Sequence, residues 1–356
     1  MRLKIFFYVL LISCNVSAVP RFVPAELPKN SYLQIHGAAL CATAKETLAY
    51  LNKGNHYDPQ VIHEGKIIKI SLARVKSSLQ FICQHQDELN NPDFIKQHFE
   101  FIRWYPDIQQ TKKLGIHKPL IAHLPHDKIL MTKYYVHKAY ATSQRTTTHP
   151  YALYALPKDE NYLTLEQADK KHQLIRFQYG KQAILNGALT FKGVPVLAYL
   201  SRDDLEAALL QGTVIANFMD KGRQTKTFNV HRCNYIPYDK NTSPYAQERY
   251  WYFKEVEGIK GYGKDADHKI TVNSKVTFAA DLEQFGLGKV LMVQYPEASG
   301  KLVTRAGILA DTGGAFANNF YQVDFLTGSY AGKTAFSQAS RHLPDYVTAY
   351  LMVLKK

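Results

Sequence analysis

The stretch GILADTGGAFANNFYQVDFLTG, residues 307–328, decides how this chain is read, because it sets Asp311 and Asp324 on either side of a glycine pair. In FYQVDFL the two-residue period of a strand puts Tyr321, Val323 and Phe325 on one face and Gln322 and Asp324 on the other. Asp324 therefore sits on a polar strand face, where a residue of poor strand propensity needs a reason to be. Asp311 ends an apolar run and enters Thr312-Gly313-Gly314, where glycine lets a backbone or a ligand come close. Asp281 ends KVTFAAD, residues 275–281, in the same manner. Crowding of strand-end carboxylates, together with burial, raises at least one pKa and leaves a proton donor near neutral pH. Asp311 alone fits equally well an aspartate that caps a turn. An aspartic protease would need a second Asp-Thr-Gly loop to share the proton, and the chain has one.

Around this stretch lie the short apolar segments KVLMVQY (289–295) and YVTAYLMVL (346–354), whose close spacing predicts a compact C-terminal β-barrel. Upstream, ILMTKYYVHKAYATS (129–143) and PYALYALP (150–157) carry the β-branched and aromatic residues of strands. Two helices interrupt them. One starts at Thr164 with Gln167 in capping-box position; the other starts at Ser201, buries Leu205, Ala208 and Leu209, and stops at Gly212. Residues 37–105 read as helical, with Leu72, Val75, Leu79 and Ile82 at three- and four-residue steps and a third helix over 93–103 after Pro92. The polar, aperiodic stretch 229–247 is the expected interdomain connection.

The 356 residues include 44 Lys+Arg against 30 Asp+Glu, a formal charge of +14. These bases are spread without a run, so nucleic acid is not indicated, whereas an anionic envelope polymer or surface suits the excess. Met1-Arg2-Leu3-Lys4, the apolar Ile5–Ile12 and Val16-Ser17-Ala18 read as a secretory signal peptide over residues 1–18. Leu11-Ile12-Ser13-Cys14 supports a competing reading, a lipobox whose lipid on Cys14 would tether the protein to the outer membrane. Cys41, Cys83 and Cys233 remain under either reading. A Cys41–Cys83 bridge between two helices and three buried free thiols both fit, and no Cys/His spacing suggests zinc.

TFAADLEQFGLGKVLMV (277–293), ILADTGGAF (308–316) and QVDFLTGSYAG (322–332) resemble the three-aspartate domain of the membrane-bound lytic transglycosylase A (MltA) family. Residues 130–157, 205–230 and 249–258 are similar to further segments of that family. The resemblance implies a mainly β fold with N-terminal helices, in which a double-psi β-barrel domain and a second β-rich domain inserted in the chain flank a groove. The barrel would use 20–124 and 245–356, and the inserted domain 125–240. The implied catalytic residues are Asp324, the acid, and Asp311, its support; Thr132, Tyr134, Gln211, Gly212, Asp281 and Gly313 would bind substrate. The family cleaves the β-1,4 MurNAc–GlcNAc bond of peptidoglycan glycan strands in the periplasm, leaving a 1,6-anhydro end, without metal or cofactor; a monomer is expected. Lys133 stands where the family has glycine, Thr213 where it has serine, and FGLGK replaces a proline-rich turn. The rival reading is an expansin-like protein that grips the glycan without cutting it.

Overall fold

A computed structural model describes residues 20–356 apart from 28–31, 115–118, 223, 240, 298, 315, 317 and 318. The signal-peptide and Cys14 readings lie outside the described residues, among which no helix is long and apolar enough to cross a membrane. The N-terminal third contains β1 (Arg21–Ala25), β2 (Tyr32–Leu33), helices Gly37–Leu51, Leu72–Gln84 and Pro92–His98, and β3 (Phe99–Tyr105). Then come β4 (Ile129–Ala141), β5 (Tyr151–Tyr154), β6 (Val196–Leu200), helix Arg202–Gln211, β7 (Thr213–Phe218), β8 (Thr225–Cys233) and β9 (Trp251–Glu255). The C-terminal third runs through β10 (Ile259–Lys260), β11 (Thr271–Val272), β12 (Thr277–Ala279), β13 (Val290–Pro296), β14 (Leu302–Asp311), β15 (Gln322–Tyr330) and β16 (Tyr346–Leu354).

Hydrogen bonding joins β16, β13, β14, β12, β15 and β4 in that order, and β4 pairs back onto β16 through Ile129↔Val347 and Leu130↔Tyr346. The ring is therefore closed, which leaves no free edge among its members. Its pairs β12–β14 and β4–β15 are parallel and the others antiparallel. The far half of β4 leaves the ring. There His137–Ala141 pair in parallel with β7, and β8 and β9 continue that side antiparallel. One strand thus belongs to two bodies. Their cores are separate: Phe278, Val290, Leu291, Ile308 and Val323 pack with Leu40, Leu79 and Ile82 of the N-terminal helices. Leu153, Leu205, Val214, Phe228 and Phe253 form another cluster around the far half of β4.

Local signals largely act as the spacing predicts. Ser71 caps Leu72–Gln84, which buries Val75, Leu79 and Ile82, and the Thr164–Gln167 capping box forms, though it starts a single turn, Leu165–Ala168. Ser201 caps Arg202–Gln211, Leu205 and Ala208 are buried and Leu209 half-buried, and Gly212 ends the helix at φ +78°. Two expectations are corrected. The helix expected over 93–103 ends at His98, because Phe99–Tyr105 pairs with β1 and β16, and sheet pairing outweighs local periodicity. The expected connection at 229–247 begins as part of β8, where Asn229–Cys233 are buried, and β9 beyond it pairs with β8 again. The chain leaves the middle body only after Glu255.

Cys41 and Cys83 are joined in a disulfide between helices Gly37–Leu51 and Leu72–Gln84, with Cα atoms 4.6 Å apart, and Cys233 is buried and free. Of the two cysteine readings, the bridge is the one present. It closes a loop of 42 residues. By the chain-entropy argument its reduction should cost about 3–4 kcal/mol of stability, read as a drop in Tm on adding reductant. A Cys41→Ser/Cys83→Ser variant should lie at the lower value with and without reductant; equal Tm values for wild type in the two conditions would contradict this.

Candidate active site

The barrel brings the two acids together by register. Ala279 of β12 pairs with Asp324 of β15 on one side and with Asp311 of β14 on the other, so one residue of the intervening strand lies between the two acids. Asp324 also pairs with Thr132 of β4. Both aspartates line a cleft of about 650 Å³, with Tyr134 and Gly313 from the barrel and Gln211, Gly212, Thr213 and Trp251 from the middle body.

Asp311 is half-buried and accepts hydrogen bonds from Tyr134 Oη at 2.7 Å and the Thr312 N–H at 2.8 Å. Burial raises its pKa to about 6, although these two donors and the Lys269 cation pull it down. Asp324 has fewer partners: its Oδ1 is enclosed and makes no hydrogen bond, while the residue as a whole keeps some exposure. Burial, followed by the charge of Asp311, pushes it up to about 7 against the Thr132 hydroxyl and the Lys133 charge. An enclosed carboxyl oxygen without a donor favours the neutral acid. Two carboxyls in one cleft thus have different environments, the condition under which one gives a proton while the other stays charged. Tyr134 is itself held neutral, its pKa raised by burial and the Asp311 charge.

Thr132 does not line the cleft; its hydroxyl donates to Val323 O at 3.2 Å and accepts from Gln322 Nε2 at 2.7 Å, which fixes β4 against β15 beside Asp324. Gln211, Gly212 and Gly313 do line it. At Gly313 a Cβ would meet the Phe316 ring no closer than 3.8 Å and φ is not left-handed, so protein packing places no demand for glycine there. Asp281 faces a neighbouring cleft of about 320 Å³ that shares Tyr262, Thr312, Gly313 and Phe316 with the first. Tyr134 and Tyr135 both line the cleft but take different partners. Tyr135 is buried and stacks on Phe336 with ring centroids 4.6 Å apart, while Tyr134 reaches the acid.

Sequence reasoning passed over Lys269, Tyr262, His231 and Trp251, all of which line the cleft and lie in segments without a periodic signal. Burial holds His231 neutral, lowering it to about 4. His231, Asp265 and Asp267 bring ligand-type atoms within 4.8 Å of one another, a grouping suited in composition to a metal. Those atoms are engaged, however: His231 Nδ1 accepts the Ala266 N–H at 3.2 Å, Asp265 contacts His268 at 2.7 Å, and Asp267 pairs with Lys254 at 2.5 Å.

The closed mixed barrel that shares one long strand with a second β-rich body is a fold held in common with solved lytic murein transglycosylases. The structure is similar to that of E. coli MltA with bound chitohexaose, at 15% identity and TM-score 0.61 over 94% of this chain and 95% of that one. It is also similar to the membrane-bound lytic murein transglycosylase from Agrobacterium tumefaciens, at 16% identity and TM-score 0.60 over 90% and 93% of the two chains. MltA from Neisseria gonorrhoeae follows at 16% and 0.56, over 94% and 92%. At these identities the likeness establishes a common fold. No protein-family model and no curated protein sequence matches the chain.

Proposed function

We propose that this protein is a lytic transglycosylase that cuts the β-1,4 MurNAc–GlcNAc bond of peptidoglycan strands, with Asp324 as its single acid and base. The observation that carries the reading is the enclosed, undonated Oδ1 of Asp324 beside a cleft of about 650 Å³. The shared fold, which includes that of E. coli MltA with bound chitohexaose, supports a glycan as occupant. Ordinary glycosidases need two carboxylates, one to protonate the leaving oxygen and one to attack or to activate water. If the sugar's own C6 hydroxyl attacks C1, the nucleophile is already tethered to the reacting ring and a second attacking carboxylate is dispensable. Protonated Asp324 gives its proton to the glycosidic oxygen as the C1–O bond breaks. The resulting carboxylate accepts the C6 hydroxyl proton as the C6–O–C1 bond forms, leaving a 1,6-anhydro end and a restored acid. Asp311 stays ionised and, by its charge, disfavours loss of the Asp324 proton.

The two cores support a division into a barrel body and an inserted body over about residues 137–255, with Gln211 and Gly212 offered to the glycan from the latter. A periplasmic location accords with peptidoglycan as substrate. Purified mature protein incubated with sacculi should release 1,6-anhydro-muropeptides, identified by mass spectrometry. Reducing-end products would replace this reading with a hydrolase, and binding without product would replace it with a glycan-binding protein.

A further inference from the structure

Beyond the two aspartates, the floor of the cleft holds a cation. Lys269 lines it, and its ammonium donates to Asn229 Oδ1 at 2.7 Å and Val230 O at 3.0 Å. Both acceptors belong to β8 of the middle body, whereas Asp311 ends β14 of the barrel. Asn229 is buried and passes the connection on: its Nδ2 donates to Gly212 O at 3.0 Å and Thr213 Oγ1 at 2.6 Å. An ammonium has three N–H donors, so these two acceptors leave one.

We infer that Lys269 is a positioning residue, the cation that keeps Asp311 ionised beside Asp324 while fixing the Gln211–Thr213 turn of the opposite wall in register with the two acids. The inference rests on the transglycosylase reading for its activity arm alone. Burial is the larger influence on both, raising Asp311 to about 6 and lowering Lys269 to about 8, and the opposite charge of each partly offsets that shift in the other. The other charged groups at the cleft have partners of their own: Lys133 is paired with Asp345, Lys264 with Glu166, Lys260 donates to Thr271 Oγ1 at 2.9 Å, Asp265 contacts His268, and His231 is neutral, while Tyr134 stays protonated and donates to Asp311. Lys269 is thus the cation that bears most on Asp311.

Lys269→Gln keeps an amide that can donate to Val230 O but removes the charge. Ionised Asp311 then loses its counter-charge, takes up a proton at higher pH, and the acid limb of kcat/KM should move up by about one pH unit, the scale of one nearby charge in a partly buried site. Lys269→Arg should restore the limb, whereas a purely packing role would be served as well by Lys269→Met. Carbon-detected NMR titration of the Asp carboxyls reads the same shift without catalysis. An upward move of the Asp311 titration in the Gln and Met variants is expected. Asp311 titrating in both as in wild type would overturn the assignment. Should the wild type release no anhydro product, the enzyme reading fails while the NMR titration still decides the role of Lys269. Should Lys269→Gln and Lys269→Met not fold, Asn229→Ala, which retains the cation but loosens its anchor, should move the Asp311 titration the same way by less, and no movement there overturns the assignment.

Discussion

Asp324→Asn should abolish anhydro-muropeptide release, with a loss of at least about a hundredfold and up to ten-thousandfold, while sacculus binding stays within a few-fold of wild type. The amide keeps the shape of the side chain but can neither deliver a proton nor take one back. In wild type the raised pKa of Asp324 keeps the donor protonated up to about pH 7, so activity should fall as pH rises through that value. Stability depends on pH in the same direction. A carboxyl whose folded pKa lies above its unfolded value favours the folded state at low pH and loses that contribution as pH rises through the folded pKa. Asp324→Asn should therefore melt higher than wild type at pH 8, with the difference narrowing toward pH 4. Undiminished cleavage by the Asn variant would remove Asp324 from the mechanism, and a Tm below wild type at both pH values would contradict its enclosure without a donor.

The second large effect is on stability, far from the cleft. Glu160 is fully buried in the middle body and accepts from Arg176 Nε at 2.9 and 3.1 Å and from Arg232 Nη1 at 3.0 Å. Arg176, also fully buried, reaches Cys233 O at 2.8 Å and Asp169 at 2.9 Å as well. Removing one partner strands charge away from water, so Arg176→Met should cost about 3–5 kcal/mol, read from denaturant midpoints. The exposed Lys226–Glu255 pair is the control: its loss should cost about 1 kcal/mol or less. A network whose loss costs no more than that of the exposed pair would mean that the buried charges neutralise rather than pair.

The strands β12 to β16 were legible because short apolar, β-branched runs between turn residues admit little else. Asp324 was legible for the same reason, as an acid on the polar face of such a strand. Closure of the barrel was not. It depends on Leu130 meeting Tyr346, and no local pattern records a pairing over that distance. The same holds for Tyr134 on Asp311, 177 residues apart, and for Lys269 on Asn229, 40 apart. Phe99–Tyr105 was misread because its neighbours β1 and β16, not its own periodicity, make it a strand. Gly313 drew attention as a site of close approach, yet the protein itself leaves room there.

Strand β4 carries Thr132 and Tyr134 in the barrel and His137 to Ala141 in the middle body without a break in the chain's extended run. The two jaws of the cleft are thus mounted on a common beam rather than on a flexible tether. A hinge of the kind that lets two lobes clamp a ligand would have to bend that beam, at the cost of hydrogen bonds on both flanks. The spacing of the two walls is then tied to the course of one extended strand.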